Sequence, residues 1–241
     1  MPAISIFSFK KNFTPQEICK LLDNKKLKDS WFNAKQSKYF EKEVFIQYWY
    51  YEDVEEFVKK VLSEEDAYEL VSFLKQNGKN KILRRCYCFI NLETKTLEIY
   101  RGTDQRREEI LSALEKFLDT KFEPLFLESK VLKRIYLKHA IELKRVVLKN
   151  LDGLEFEILV GNSLEQNKFF NECMRRYPNN LKSITFRPKI NFLDSNTKYN
   201  VTIGENGIVS FSSEGLFRWR PRYEIRQILF AIHCCNNTKH P

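Results

Sequence analysis

Apolar positions along the chain change period several times, and the changes lay out a series of elements. Ala3 to Phe9 alternates apolar and small residues and predicts a strand. Thr14-Pro15-Gln16-Glu17 joins an N-cap, a first-turn proline and a capping-box glutamate, opening a helix that carries Ile18, Leu21 and Leu22 on one face. Strands are expected at 31–40 and 43–51, then an acidic helical stretch at 53–77 that Gly78 closes. Residues 81–101 read as a hairpin turning at Glu93-Thr94-Lys95. A helix to Leu118 begins at Thr103 or Asp104, and a strand follows at 122–127.

After a basic, partly helical connector at 130–140, a second series begins. Strands at 142–149 and 154–160 flank Asp152-Gly153, a helix runs from Asn162 to Arg176, and Leu181–Arg187 forms the next strand. The hairpin at 199–213 turns on Asn206-Gly207, the strongest short turn signal in the chain. A final apolar helix follows Pro221 with Ile225, Ile228, Leu229 and Ile232. Both series run strand, helix, antiparallel strands ending in a hairpin, then a long helix. The expected fold is α+β: a curved antiparallel sheet from two topologically similar halves, with helices packed on one face. The halves are 1–120, carrying an acidic helical insertion at 53–80, and 121–241. Together they form one intimate structural unit.

That order resembles the saddle of the TATA-box-binding protein family. The stretch from Phe89-Ile90-Asn91-Leu92 through Tyr100-Arg101-Gly102-Thr103-Asp104-Gln105-Arg106 is also similar to one in the kinetochore CENP-L/CENP-N group, whose fold is saddle-like. The resemblance implies the fold, and the kinetochore group adds the expectation of an interaction or scaffold module. It carries no DNA-reading residue onto this chain, because no matching pairs of intercalating phenylalanines occur.

Charge adds a partner class. All 14 arginines lie after residue 83, and six come as the doublets Arg84-Arg85, Arg106-Arg107 and Arg175-Arg176. Residues 1–80 are balanced at 13 Lys against 13 Asp and Glu, whereas residues 81–241 hold 28 Lys and Arg against 19 acids, the whole of the +9. Guanidinium forks suit phosphate, so the expected function is non-enzymatic binding of nucleic acid, foremost duplex DNA. The candidate contacts are Arg84, Arg85, Arg101, Arg106, Arg107, Arg218, Trp219, Arg220, Arg222 and Arg226. Gly102 and Thr103 join Arg106 and Arg107 in a phosphate corner at a helix N-terminus; the plainer reading pairs those arginines with Glu108, Glu109 or neighbouring acids. Trp219 either stacks on a base or anchors a helix to the core.

Other chemistry is thinner. Cys86 and Cys88 share a strand face and His233, Cys234 and Cys235 end a helix, but their spacing suits buried thiols better than zinc, and no cofactor is expected. A nuclease would draw on Glu93, Glu98, Glu155 or Glu157, and no catalytic motif supports one. The run Phe45-Ile46-Gln47-Tyr48-Trp49-Tyr50-Tyr51 fills both faces of a strand, which suits a buried central strand; a stacking platform is the alternative. The acidic segment from Glu52 to Asp66 leaves room for a protein partner or a second copy, or for pairing with the basic region itself. Neither a membrane helix nor a signal peptide is expected, so the chain reads as intracellular, cytoplasmic or chromatin-associated.

Overall fold

The computed structural model describes residues 3–59, 62–100, 103–189, 199–213 and 222–237. The elements begin with β1 (Ala3–Ser8), α1 (Pro15–Leu22), β2 (Lys26–Leu27), β3 (Ser30–Gln36) and β4 (Glu43–Asp53). Next come α2 (Val54–Lys59), α3 (Glu64–Gln76), β5 (Lys81–Asn91), β6 (Thr96–Tyr100), α4 (Asp104–Leu118) and β7 (Glu123–Pro124). They continue with α5 (Ser129–His139), β8 (Ala140–Leu151), β9 (Leu154–Val160), a 3-10 turn (Leu164–Gln166) and α6 (Lys168–Arg176). β10 (Leu181–Pro188), β11 (Tyr199–Gly204), β12 (Ile208–Ser213) and α7 (Arg222–Asn237) complete the order. The fold is α+β with open antiparallel sheet, and among the described residues it has twelve strands and seven α-helices.

These elements gather into two compact units. A four-stranded unit holds β2 to β5 and α1 to α4; an eight-stranded unit holds β1, β6 to β12 and α5 to α7. The first has strand order β2-β3-β4-β5, and Phe32, Ile46, Tyr48 and Tyr50 point into its core. There they meet α1, whose Ile18 and Leu22 are fully buried, and α4, whose Phe117 sets its ring edge-on against Phe32 at 6.0 Å. Each such side chain contributes about 1.5–3 kcal/mol by leaving water. α1 begins where its capping box predicts. Glu17 N–H donates to Thr14 Oγ1 at 3.2 Å, and Thr14 N–H donates to Glu17 Oε2 at 2.6 Å.

The eight-stranded unit has order β6-β1-β12-β11-β10-β8-β9, with β7 also pairing β1. α5 packs on β8 and β10, and α7 packs on α5. Ser129 Oγ fastens α5 to β10, donating to the Leu181 carbonyl at 3.2 Å and accepting from its N–H at 2.9 Å.

Four stretches depart from the sequence expectation. The acidic 53–77 stretch is two helices, because Ser63 caps a new start by accepting from Asp66 N–H. Val54, Val58, Ala67 and Val71 then bury a small core of their own. The strand expected at 122–127 shrinks to Glu123–Pro124, since proline has no N–H for the ladder. The 162–176 stretch breaks into a 3-10 turn and α6, because Asn167 Oδ1 accepts from Phe170 N–H at 3.1 Å and restarts the helix. The 130–140 connector is a full helix, its apolar face of Val131, Leu132, Ile135 and Tyr136 buried.

Two glycines with left-handed backbone give a test. Gly78 (φ +71°) has open space where a Cβ would stand, whereas at Gly207 (φ +69°) that Cβ would lie 2.5 Å from the Leu125 carbonyl oxygen. Gly78→Ala is expected to cost about 1 kcal/mol through backbone strain alone. Gly207→Ala adds a clash worth a further ~1–3 kcal/mol. Urea denaturation of both variants checks this, and equal losses would contradict the close approach at Gly207.

Candidate nucleic-acid interface

The register of β3, β4 and β5 sorts the aromatic run. Antiparallel neighbours on one face stand directly opposite each other, so each row across the three strands is fixed by pairing. Val44, Ile46, Tyr48 and Tyr50 turn inward and are buried. Phe45, Gln47, Trp49 and Tyr51 turn outward and stay at least partly exposed. The outward face therefore reads as rows. Lys26, Trp31, Trp49 and Arg85 form one, Asn33, Gln47 and Tyr87 the next, and Lys35, Phe45 and Phe89 a third. Tyr51 and Leu83 extend the face beyond the Trp31 row.

Rings and cations interleave on these rows. The Trp31 and Trp49 indoles are nearly parallel, 8° apart with centroids at 6.2 Å. Phe45 lies 5.7 Å from Tyr87 and 5.1 Å from Phe89. The Arg85 guanidinium sits 5.4 Å from the Trp49 centroid and 5.1 Å from that of Tyr87, and Lys35 Nζ is 5.6 Å from the Phe45 ring. All three are cation–π distances. Arg85 is exposed, and among the described residues no carboxylate pairs with it.

The other expected arginines are placed differently. Arg84 faces the opposite side of β5, 3.9 Å from Glu52 and 4.8 Å from the Phe57 centroid. This is one ion pair between the basic region and the acidic segment. Thr103 caps α4 by accepting from Arg106 N–H at 3.3 Å. Arg106 stacks 3.8 Å from the Tyr50 centroid and pairs with Glu109, and Arg107 pairs with Asp104 at 3.0 Å. The phosphate corner is thus occupied by its own carboxylates. Arg101, Gly102, Arg218, Trp219 and Arg220 lie outside the described residues.

Arg222 and Arg226 lie on α7 and belong to the eight-stranded unit. Arg226 is buried. Arg222 makes a bidentate pair with Glu98, Nη1 donating to Oε2 at 2.6 Å and Nη2 to Oε1 at 3.0 Å. Nη1 also donates to the Tyr100 hydroxyl at 2.7 Å, which donates onward to Glu98 at 3.0 Å. The side chains are 9% and 1% exposed. Glu98, a nuclease candidate by sequence, is therefore a structural counter-ion.

Cys86 and Cys88 are buried on the inner face of β5. Burial pushes the Cys86 thiol up, opposed by a hydrogen bond from Tyr50 and by nearby Arg106 and Arg84. Among the described residues no three His, Cys, Asp or Glu side chains gather as a metal site. An open recess of about 640 Å³ lies between β3, β4 and α4, lined by Lys28, Arg106 and Lys116 but also by Asp29, Glu108 and Glu109. Its charges offset each other, so it gives no field that selects an anion. Among the described residues no helix is long and apolar enough to cross a membrane.

No protein-family model matches the chain, and a search of curated proteins finds no match either. Sequence reasoning singled out Arg85 and considered β4 as a platform, but it missed Lys26, Trp31, Lys35 and Tyr87 as parts of one surface. Their signal was the two-residue spacing of Phe45, Gln47, Trp49 and Tyr51, which becomes readable only once the register with β3 and β5 is known.

The buried ion pair yields the next test. Glu98→Gln removes the charge of a bidentate, buried ion pair and is expected to cost about 3–5 kcal/mol of folding stability. Glu98→Gln with Arg222→Met is expected to recover much of that loss in chemical denaturation. Additive losses would contradict the coupling.

Proposed function

We propose that this chain is a non-enzymatic nucleic-acid-binding protein that holds the phosphate backbone through basic side chains of its four-stranded unit. The observation that carries the reading is Arg85, an exposed guanidinium set between two rings, with Lys26 and Lys35 on the same face. Holding a cation at fixed height over a ring limits its rotamers, so less entropy is lost when a phosphate arrives. Arg106 and Arg107 are second contacts. Their ion pairs are partly solvated, with arginine side chains 22% and 24% exposed. Pairs of that kind are worth about 0–1 kcal/mol, so a phosphate can replace the carboxylate at small cost. Arg222 is not a contact in this reading.

Duplex DNA is the first partner to test, and the +9 charge supplies a field that favours encounter with any polyanion. The twofold order of elements and its likeness to the saddle folds belong to the same proposal.

A second reading, that the chain docks on another protein, is favoured by β9. It ends the strand order of its sheet, and Leu154, Phe156, Ile158 and Val160 are 54%, 42%, 52% and 74% exposed along one face. Edge strands of soluble proteins are ordinarily guarded by charge or proline on their open side. A second copy of this chain, paired through β9, is the occupant this reading commits to.

Anisotropy of a labelled 20-base-pair duplex across about 50–200 mM salt tests the first reading. Log affinity is expected to fall linearly with log salt at about 0.9 per phosphate neutralised, and Arg85→Ala to lower that slope by about 1. An absence of binding at the lowest salt would overturn it. For the second, Ile158→Lys is expected to shift sedimentation from dimer to monomer; a chain monomeric at every concentration removes that reading.

A further inference from the structure

We infer that the outward face of β3, β4 and β5 is a stacking platform for unpaired bases, making single-stranded nucleic acid the partner of this site. The inference rests on the nucleic-acid reading above and narrows its substrate class. In an intact duplex each base already spends both π-faces on its neighbours, so rings on a protein surface gain little from it. An unpaired base has faces to offer, and stacking on an aromatic side chain tolerates any sequence.

The face is built for such contact. Trp31, Trp49, Phe45, Tyr87 and Phe89 are half-buried, held upright by their neighbours yet still exposing ring surface, and Tyr51 is 44% exposed. A side chain packed on one side only keeps its rotamer while leaving the other side for a ligand. From Phe45 to Tyr51 the platform extends about 20 Å along the strand. The two indoles share one tilt, so successive bases meet surfaces of like orientation.

Charge on the face points the same way. Lys26 and Arg85 stand at the two ends of the indole row and Lys35 at the end of the phenylalanine row. No carboxylate stands in the rows from Trp49 to Phe45; at the Tyr51 end Asp29 pairs with Lys81 at 2.9 Å and Asp53 lies opposite Lys81, and at the other end Glu43 is fully buried. Asn33 and Gln47 supply the only amides of the middle row, where they meet base edges and give a mild preference at most. An interleaved set of rings and cations, with acids only at its two ends, is complementary to a strand that alternates base and phosphate. The β9 stripe has no rings in series: Phe156 is its single aromatic side chain, and Glu155 and Glu157 turn to the opposite face of the strand.

The test uses the full chain with a labelled 12-nucleotide oligothymidylate and, in parallel, a 12-base-pair duplex. Binding is read by anisotropy at about 50 mM salt and by quenching of tryptophan emission. The expected result is at least ~10-fold tighter binding of the single strand. Trp49→Ala is expected to weaken it about 10-fold or more, Trp49→Phe to restore most of the loss, and Lys133→Ala, an exposed α5 position, to change it less than about 2-fold. Tyr51→Ala is exposed enough to leave folding intact, so it serves if Trp49→Ala proves unstable by circular dichroism; a loss of about 5-fold is expected. Equal affinity for both ligands, with Trp49→Ala and Tyr51→Ala unchanged, overturns the platform while leaving the backbone-binding reading standing. Failure to bind either ligand overturns both.

Discussion

A β-strand turns successive side chains to opposite faces, and in β4 that alternation decides what is core and what is surface for a whole unit. Phe45 to Tyr51 puts rings on both sides, so composition alone leaves the orientation of the strand undecided. The ladder to β5 settles it by pairing β4 over eleven consecutive positions, from Glu43↔Asn91 to Asp53↔Lys81. A slip of one residue would send Val44, Ile46, Tyr48 and Tyr50 into water and drive Gln47 into the core. On the buried side, the Tyr48 hydroxyl donates to Ser30 Oγ at 2.9 Å, satisfying both groups only in this register. The aromatic face is thus a consequence of how the core is packed, and its rows inherit the precision of the ladder.

The same alternation separates the arginines. Arg84 and Arg85 are neighbours in sequence but lie on opposite faces of β5, one near Glu52 and the other over Trp49 and Tyr87. Arg106 and Arg107 sit in the first turn of α4, where the helix dipole disfavours cations, and each takes a carboxylate from its own turn. Arg222 goes further and becomes the buried partner of Glu98. Clusters of charge along a chain therefore predict field, which depends on totals. Contact depends on which guanidinium is left facing solvent, and that is a matter of strand face and local carboxylates.

How much was legible follows from the range of the interaction that fixes each element. The capping box at Thr14, the Asn206-Gly207 turn and the Thr103 cap act within four residues, and the structure has them where the sequence put them. β7 and the break before α6 depend on competition between local options, a proline against a ladder and an asparagine cap against a continuing helix. Those were misjudged by a few residues. The platform depends on Trp31 meeting Trp49 and Arg85, partners up to 54 positions apart, and nothing in a single sequence states their register. Its residues were visible one at a time, not as a surface.

The two exposed apolar features differ in what they can recognise. β9 offers an aliphatic stripe beside the open edge of a ladder. Such a surface holds one ring, Phe156, with Lys182 Nζ 3.7 Å from its centroid, and it has a regular backbone that another strand can extend. The face of β3, β4 and β5 is bounded by neighbouring strands and is rich in rings, with guanidinium and ammonium groups placed over them. It gives a polypeptide strand no free edge along β4, whose backbone is already paired on both sides. Each belongs to its own unit. What separates them chemically is the number of rings: the face of β3, β4 and β5 sets aromatic side chains in three successive rows beside Lys26, Lys35 and Arg85, whereas the β9 stripe holds Phe156 alone.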